Sequence, residues 1–193
     1  MKQFINTLAI TLVFLTSIST YASREFKVEV NQNQVLSIKI NNINKADKLV
    51  LSDGSEVLFE DKSLFQPYIK NISLENLPEG YYSLSLEDDY MISTKSISKT
   101  KNGISISETS VAFKPHFKQI DADARKLRVG FTNPTMQPTQ FKLYDKNGNL
   151  IITLKNNDAV FNKTLDFSEV PSGDYSVAIN NNGRNYYRNI TIE

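Results

Sequence analysis

From Phe26 onward, apolar residues fall mainly at every second position, in short runs that stop at asparagine, aspartate, glycine or proline. Phe26-Val28-Val30, Leu36-Ile38-Ile40, Leu49-Leu51 and Val57-Phe59 carry the period of strands with one buried face. No stretch after Phe26 holds an apolar stripe at helical spacing over three turns. The pattern predicts an all-β protein.

The runs also repeat. Leu77-Pro78-Glu79-Gly80 falls on Val170-Pro171-Ser172-Gly173 at a shift of 93 positions, and Tyr82, Leu84, Leu86 and Ile97 then fall on Tyr175, Val177, Ile179 and Ile190. "KLVLSDGSEVLF" from Lys48 matches "FKLYDKNGNLII" from Phe141 with one residue of difference in the turn, and "LSIKINN" resembles "LRVGFTN". A whole unit of about seven strands is therefore duplicated, at the spacing of an immunoglobulin-like sandwich rather than a solenoid or propeller. The polar stretch "KTKNGISISETS" separates the copies, which predicts one domain over residues 23–107 and a second over residues 108–193.

Comparison of the copies sorts side chains by face. Tyr82, Leu84 and Leu86 remain apolar in the second copy, whereas Tyr81, Ser83 and Ser85 become Asp174, Ser176 and Ala178. The first set belongs to the core, with the Tyr82 and Tyr175 hydroxyls placed near polar backbone groups. In the turn before them, proline fixes one corner and glycine is expected to supply a positive φ. Asp53-Gly54 and Asn147-Gly148 read as two-residue hairpin turns. Tyr81 has no folding reason to be aromatic and becomes a candidate surface contact, with Tyr90, Tyr187, Phe65 and Tyr68 as further surface aromatics for a protein or glycan partner.

The amino end changes the setting. Residues 1–22 read MKQFINTLAITLVFLTSISTYA: a lysine, an apolar core and small residues before a cut after Ala22, the pattern of an export leader. Its apolar run is far shorter than the ~20 residues that span a bilayer, so no stable transmembrane span is expected. The chain has 22 basic and 21 acidic side chains, and loss of Lys2 with the leader evens them. That balance argues against nucleic acid as a partner. The 0 cysteines exclude disulfides, leaving stability to apolar burial.

Catalytic chemistry finds little purchase. His116 is the only histidine, with no second histidine or cysteine for a zinc site or nucleophile pair; it reads as a surface or interdomain residue. Glu87-Asp88-Asp89 reads as a solvated hairpin tip. In Asp145-Lys146-Asn147-Gly148-Asn149 the glycine comes too early for a calcium loop, and no glutamate closes it. No catalytic residue, metal or cofactor is expected.

One resemblance remains. The final third, through Asp145, Gly148, Ser168, Val170, Pro171, Gly173 and Tyr175, resembles the C-terminal sorting domain of the type IX secretion system. Its pattern runs from an Asp-x-x-Gly hairpin to a Ser-x-Leu-Pro-x-Gly-x-Tyr segment and a last strand. The resemblance implies recognition by an outer-membrane secretion machine, followed by release or surface attachment. The expected protein is thus secreted or held in the periplasm or at the outer cell surface. It is a non-catalytic β-sandwich protein with a structural or binding role, and the alternatives are a sorting substrate or a small exported hydrolase or hydrolase inhibitor.

Overall fold

The computed structural model describes residues 26–31, 34–120 and 125–193; the leader expected over residues 1–22 lies outside them. The described residues form two immunoglobulin-like sandwiches in tandem. In the first, β1 (Phe26–Val30), β2 (Val35–Ile40) and β5 (Tyr68–Ser73) make one antiparallel sheet in the order β1-β2-β5. The opposite sheet takes β3 (Lys48–Ser52), β4 (Val57–Asp61), β6 (Gly80–Glu87), β7 (Met91–Thr100) and β8 (Gly103–Ile106), in the order β4-β3-β6-β7-β8. A further strand, β9 (Ser110–Phe113), also pairs with β7.

The second sandwich repeats this plan. β10 (His116–Gln119), β11 (Lys126–Thr132) and β14 (Val160–Asp166) form the order β10-β11-β14. Facing it, β12 (Thr139–Asp145), β13 (Leu150–Asn156), β15 (Gly173–Asn181) and β16 (Arg184–Ile192) run β13-β12-β15-β16. With β8 and β9 set aside, the two topologies are the same. Each unit has its own core. Leu36, Ile38, Ile40, Leu49, Leu51, Leu84 and Leu86 close the first, and Leu127, Val129, Phe131, Phe141, Leu143, Val177 and Ile179 close the second. Every one of these lies on the inward parity of its strand, which is how a period-two pattern becomes a two-layer fold.

The repeated turn explains its own composition. Tyr82 and Tyr175 are buried, and their hydroxyls donate to the carbonyls of Pro78 and Pro171, 2.6 Å away in both units. Such a bond ties the start of a strand to the corner it has just left. The carbonyls of that corner also need partners. In the first unit the buried Lys99 ammonium donates to the carbonyls of Leu74 (2.6 Å), Glu75 (3.0 Å) and Leu77 (2.7 Å). Ile192 stands at the matching place in the second unit, and Arg125 arrives instead from the chain just before β11, a strand of the opposite sheet. Its guanidinium donates to Ser168 O (3.3 Å) and Val170 O (2.5 Å), the counterparts of Glu75 O and Leu77 O. One backbone requirement is met from two directions.

Three local expectations change. The strands of each DG/NG hairpin are joined by four residues, 53–56 and 146–149, rather than two. Carboxylates hold these loops: Asp53 Oδ1 accepts from the amides of Ser55 and Glu56, both at 2.9 Å, and Asp145 Oδ1 from those of Asn147 and Asn149, both at 2.8 Å. Only the glycines take the positive φ, +93° at Gly54 and +80° at Gly148. Of the two corner glycines, Gly173 takes the expected positive φ, +152°, whereas Gly80 lies outside the left-handed region, its corner being held by Leu77 N–H on Leu74 O and by Tyr82. Finally, β8 and β9 occupy the stretch read as a separator, so pairing within the first unit runs on to Phe113.

Tyr82→Phe and Tyr175→Phe each remove one buried hydrogen bond and leave a proline carbonyl without this donor. Each variant is expected to lose about 1–2 kcal/mol from its own unit in urea unfolding, with the slope unchanged.

Candidate functional site

The five aromatics singled out in the sequence do not form one platform. Tyr81 is 81% exposed on the outer side of β6, paired across the ladder with Ser98. Tyr90 is also exposed, but it sits in the turn beyond the opposite end of β6, with six residues and about 20 Å of strand between Tyr81 and Glu87. Phe65, 77% exposed, lies between β4 and β5, and the exposed Tyr187 projects from β16 in the second unit. Tyr68 is a correction: it is buried in the first core, at 7% exposure, and its hydroxyl donates to Asp61 Oδ2 at 2.8 Å. It opens β5 on the inward parity, with a hydroxyl near enough to the sheet's rim to find a carboxylate.

Tyr90 and His116 do share a surface. With Val111, Phe113, Val160 and Phe161 they line a mainly apolar cleft of about 1050 Å³ between the two sandwiches. Asp88, at its margin, differs from the solvated tip expected. It is buried, and Oδ1 accepts from the amides of Tyr90 and Met91, both at 2.6 Å, so that it builds the β6–β7 turn. Glu87 meets Lys48 at 3.4 Å and Lys114 at 3.5 Å. Among the described residues, no three His, Cys, Asp or Glu side chains gather as a metal site would require.

The residues that carry the sorting-domain pattern are turn builders in this geometry. Asp145 folds the β12–β13 loop, and the Asn149 side chain, followed by its amide, holds the carboxyl below its ordinary pKa. The Ser168 hydroxyl and amide both donate to Asp166 Oδ1, which likewise lowers that carboxyl's pKa. Ser168 and Val170 offer their carbonyls to Arg125, and Pro171 offers its own to Tyr175. The motif is thus a description of one corner of a sandwich, and Arg125 is a member of it that spacing alone does not reveal.

A second, smaller and mainly polar cleft of about 630 Å³ opens between β10, β11 and β16, where Phe117, Leu127, Ile190 and Ile192 share the lining with Gln119, Arg125, Arg188 and Glu193. No chemistry in the sequence pointed to it.

Residues 124–193 match the family described as "Secretion system C-terminal sorting domain". The match covers β11 to β16, nearly the whole second sandwich, and agrees with the resemblance carried by its turn residues. None of the curated proteins matches the chain. Among solved structures, the chain is similar to a biofilm associated protein BSP domain, at 12% identity over 86% of this chain with a TM-score of 0.30; it spans 29% of that chain's length. It is also similar to a two fibronectin type-III domain segment from chicken tenascin, at 12% identity over 87% of this chain and 98% of that one, with a TM-score of 0.32.

The Asp61–Tyr68 pair makes a pH prediction. Burial, and then the Asp61 carboxylate, push the Tyr68 phenol above its ordinary 10.0. The folded state therefore holds this proton more tightly, and its contribution is complete below about pH 10 and lost as pH rises beyond it. Asp61 is lowered, first by the Ser63 amide and then by Tyr68, so its contribution is present above the ordinary carboxylate range and lost on acidification. Thermal melts from pH 9 to 11.5 should show a falling first-unit transition, less steep in Tyr68→Phe.

Proposed function

We propose that this is an exported, non-catalytic protein whose second sandwich is a sorting unit read by a secretion machine, and whose first sandwich is the cargo that reaches the cell surface or medium. The observation that carries this reading is the family match over residues 124–193, which coincides with a unit that has its own apolar core. A sorting module must fold and present one recognisable surface whatever precedes it, and an independent core meets that need. The family is one of sorting modules rather than enzymes, which supports a role without catalysis. The presence of the same corner motif in the first unit does not weigh against this, because that motif serves the turn in both copies.

The first sandwich is assigned a binding or structural role outside the cell, with a protein or glycan as partner. Tyr81 supports it: the ring is 81% exposed where the other copy has Asp174. An exposed aromatic that the fold does not require is a reason to look for a ligand there.

Two measurements follow. In a cell that has such a machine, a leader–reporter fusion to residues 108–193 should appear outside the cell. Deleting residues 124–193 should lower that at least tenfold, with the reporter retained in the periplasm; undiminished export contradicts the sorting reading. For the first unit, protein or glycan arrays probed with the leaderless chain should lose signal on Tyr81→Ser. An unchanged array pattern removes Tyr81 from the binding surface.

A further inference from the structure

The larger cleft is a slot between two sheet faces. One wall comes from the first unit, where Met91 pairs with Phe113 and Ser93 with Val111 across β7 and β9. The other is the outer face of the β10-β11-β14 sheet, with Arg128, Gly130 and Thr132 at alternate positions of its middle strand. Only Lys114 and Pro115 separate β9 from β10, and the Tyr186 hydroxyl donates to Phe113 O at 3.4 Å, so the walls are tied together. Val111, Val160 and Tyr90 are all exposed, and all line this slot. Gly130 is the unexpected member. It takes no positive φ, a Cβ built on it meets nothing within 4 Å, and its matching position in the first unit holds Lys39. Neither backbone nor packing requires glycine there, although glycine weakens a strand interior; its effect is to keep the floor of the slot low.

We propose that the slot binds a free long-chain carboxylic acid, the alkyl chain lying over Gly130 and the carboxylate on Arg128. The order of residues on the floor gives the ligand its two ends. In the ladder Arg128 lies between Lys118 and Thr164, Gly130 between His116 and Asn162, and Thr132 beside Val160. One end is therefore cationic and the other aliphatic, about 13 Å apart along β11. Other charges at the slot are already engaged: Lys114 is on Glu87 at 3.5 Å, and Asp88 accepts from the amides of Tyr90 and Met91. Arg128 and Lys118 meet no carboxylate among the described residues, and a guanidinium can hold one with two parallel hydrogen bonds. A mainly apolar volume of about 1050 Å³ with a cationic end suits an amphiphilic anion, whereas a glycan would need polar groups along its whole length. The site uses both units as folded and goes beyond the sorting reading, standing whether or not the second unit directs export.

Sodium laurate, whose extended chain runs the length of that row, is titrated calorimetrically below its micelle-forming concentration into the full chain without its leader. Saturable binding is expected, with amide shifts in the NMR spectrum centred on β9, β11 and β14. Lauryl alcohol, which lacks the carboxylate, should bind at least tenfold more weakly. Arg128→Gln, at an exposed position, should weaken laurate at least tenfold and leave the alcohol unchanged. Gly130→Val places a side chain in the slot on a backbone that suits a strand residue; it should weaken both ligands at least tenfold with the thermal transition held or raised. Should that variant fail to fold, Arg128→Gln and the alcohol decide. The proposal is overturned by absence of saturable binding, by equal affinity for acid and alcohol, by unchanged laurate affinity in Arg128→Gln or in folded Gly130→Val, or by shifts that map to β13 instead. Binding to phosphatidylglycerol vesicles that laurate does not displace, or a dimer of the chain that fills the slot itself, overturns it equally.

Discussion

Each half of this protein depends on one corner, where the chain crosses from the three-stranded sheet to the larger one. The tyrosine hydroxyl bound to the proline carbonyl fixes that crossing at 2.6 Å in both copies, and with it the strand that runs up the middle of the larger sheet. Everything else in a sandwich is laid beside that strand: β3 and β7 on β6, β12 and β16 on β15. The corner exposes carbonyls that no strand can pair, and the cation that satisfies them has changed element between copies. Lys99 reaches them from β7, and Arg125 from the chain just before β11. The exchange leaves position 192 free to be apolar, and Ile192 joins the second core.

Much of this was legible because the chain contains its own comparison. Setting Tyr82 beside Tyr175 and Tyr81 beside Asp174 separated core from surface without any alignment, and burial follows that division. Tyr68 lies outside the stretch in which the two copies are compared residue by residue. Its counterpart at the same shift is Phe161, buried in the second core, so the repeat itself marks this position as internal. The hairpin loops were misjudged for a different reason. Asn-Gly and Asp-Gly pairs specify φ, but the Asp53 and Asp145 carboxylates gather amides two to four residues on, and that lengthens the loop beyond what the dipeptide demands. The stretch around Ile104 and Ile106 is polar overall, but its alternation is that of a strand, and it pairs with β7.

Function was less visible, and for a physical reason. The residues that identify the sorting family are mainly those that make its corner, so they occur wherever the corner does, including mid-chain. Surface aromatics likewise carry no mark of whether they meet a ligand, and the fold scatters Tyr81, Tyr90, Tyr187 and Phe65 over separate places.

The account rests most heavily on the claim that the tyrosine corner holds the middle strand of each larger sheet. Amide hydrogen exchange in Tyr175→Phe, resolved along the full chain, addresses it directly. The account predicts lower protection in β15 and β16 of the variant, with β6 and β7 unchanged. Unchanged protection throughout β15 and β16 would contradict it.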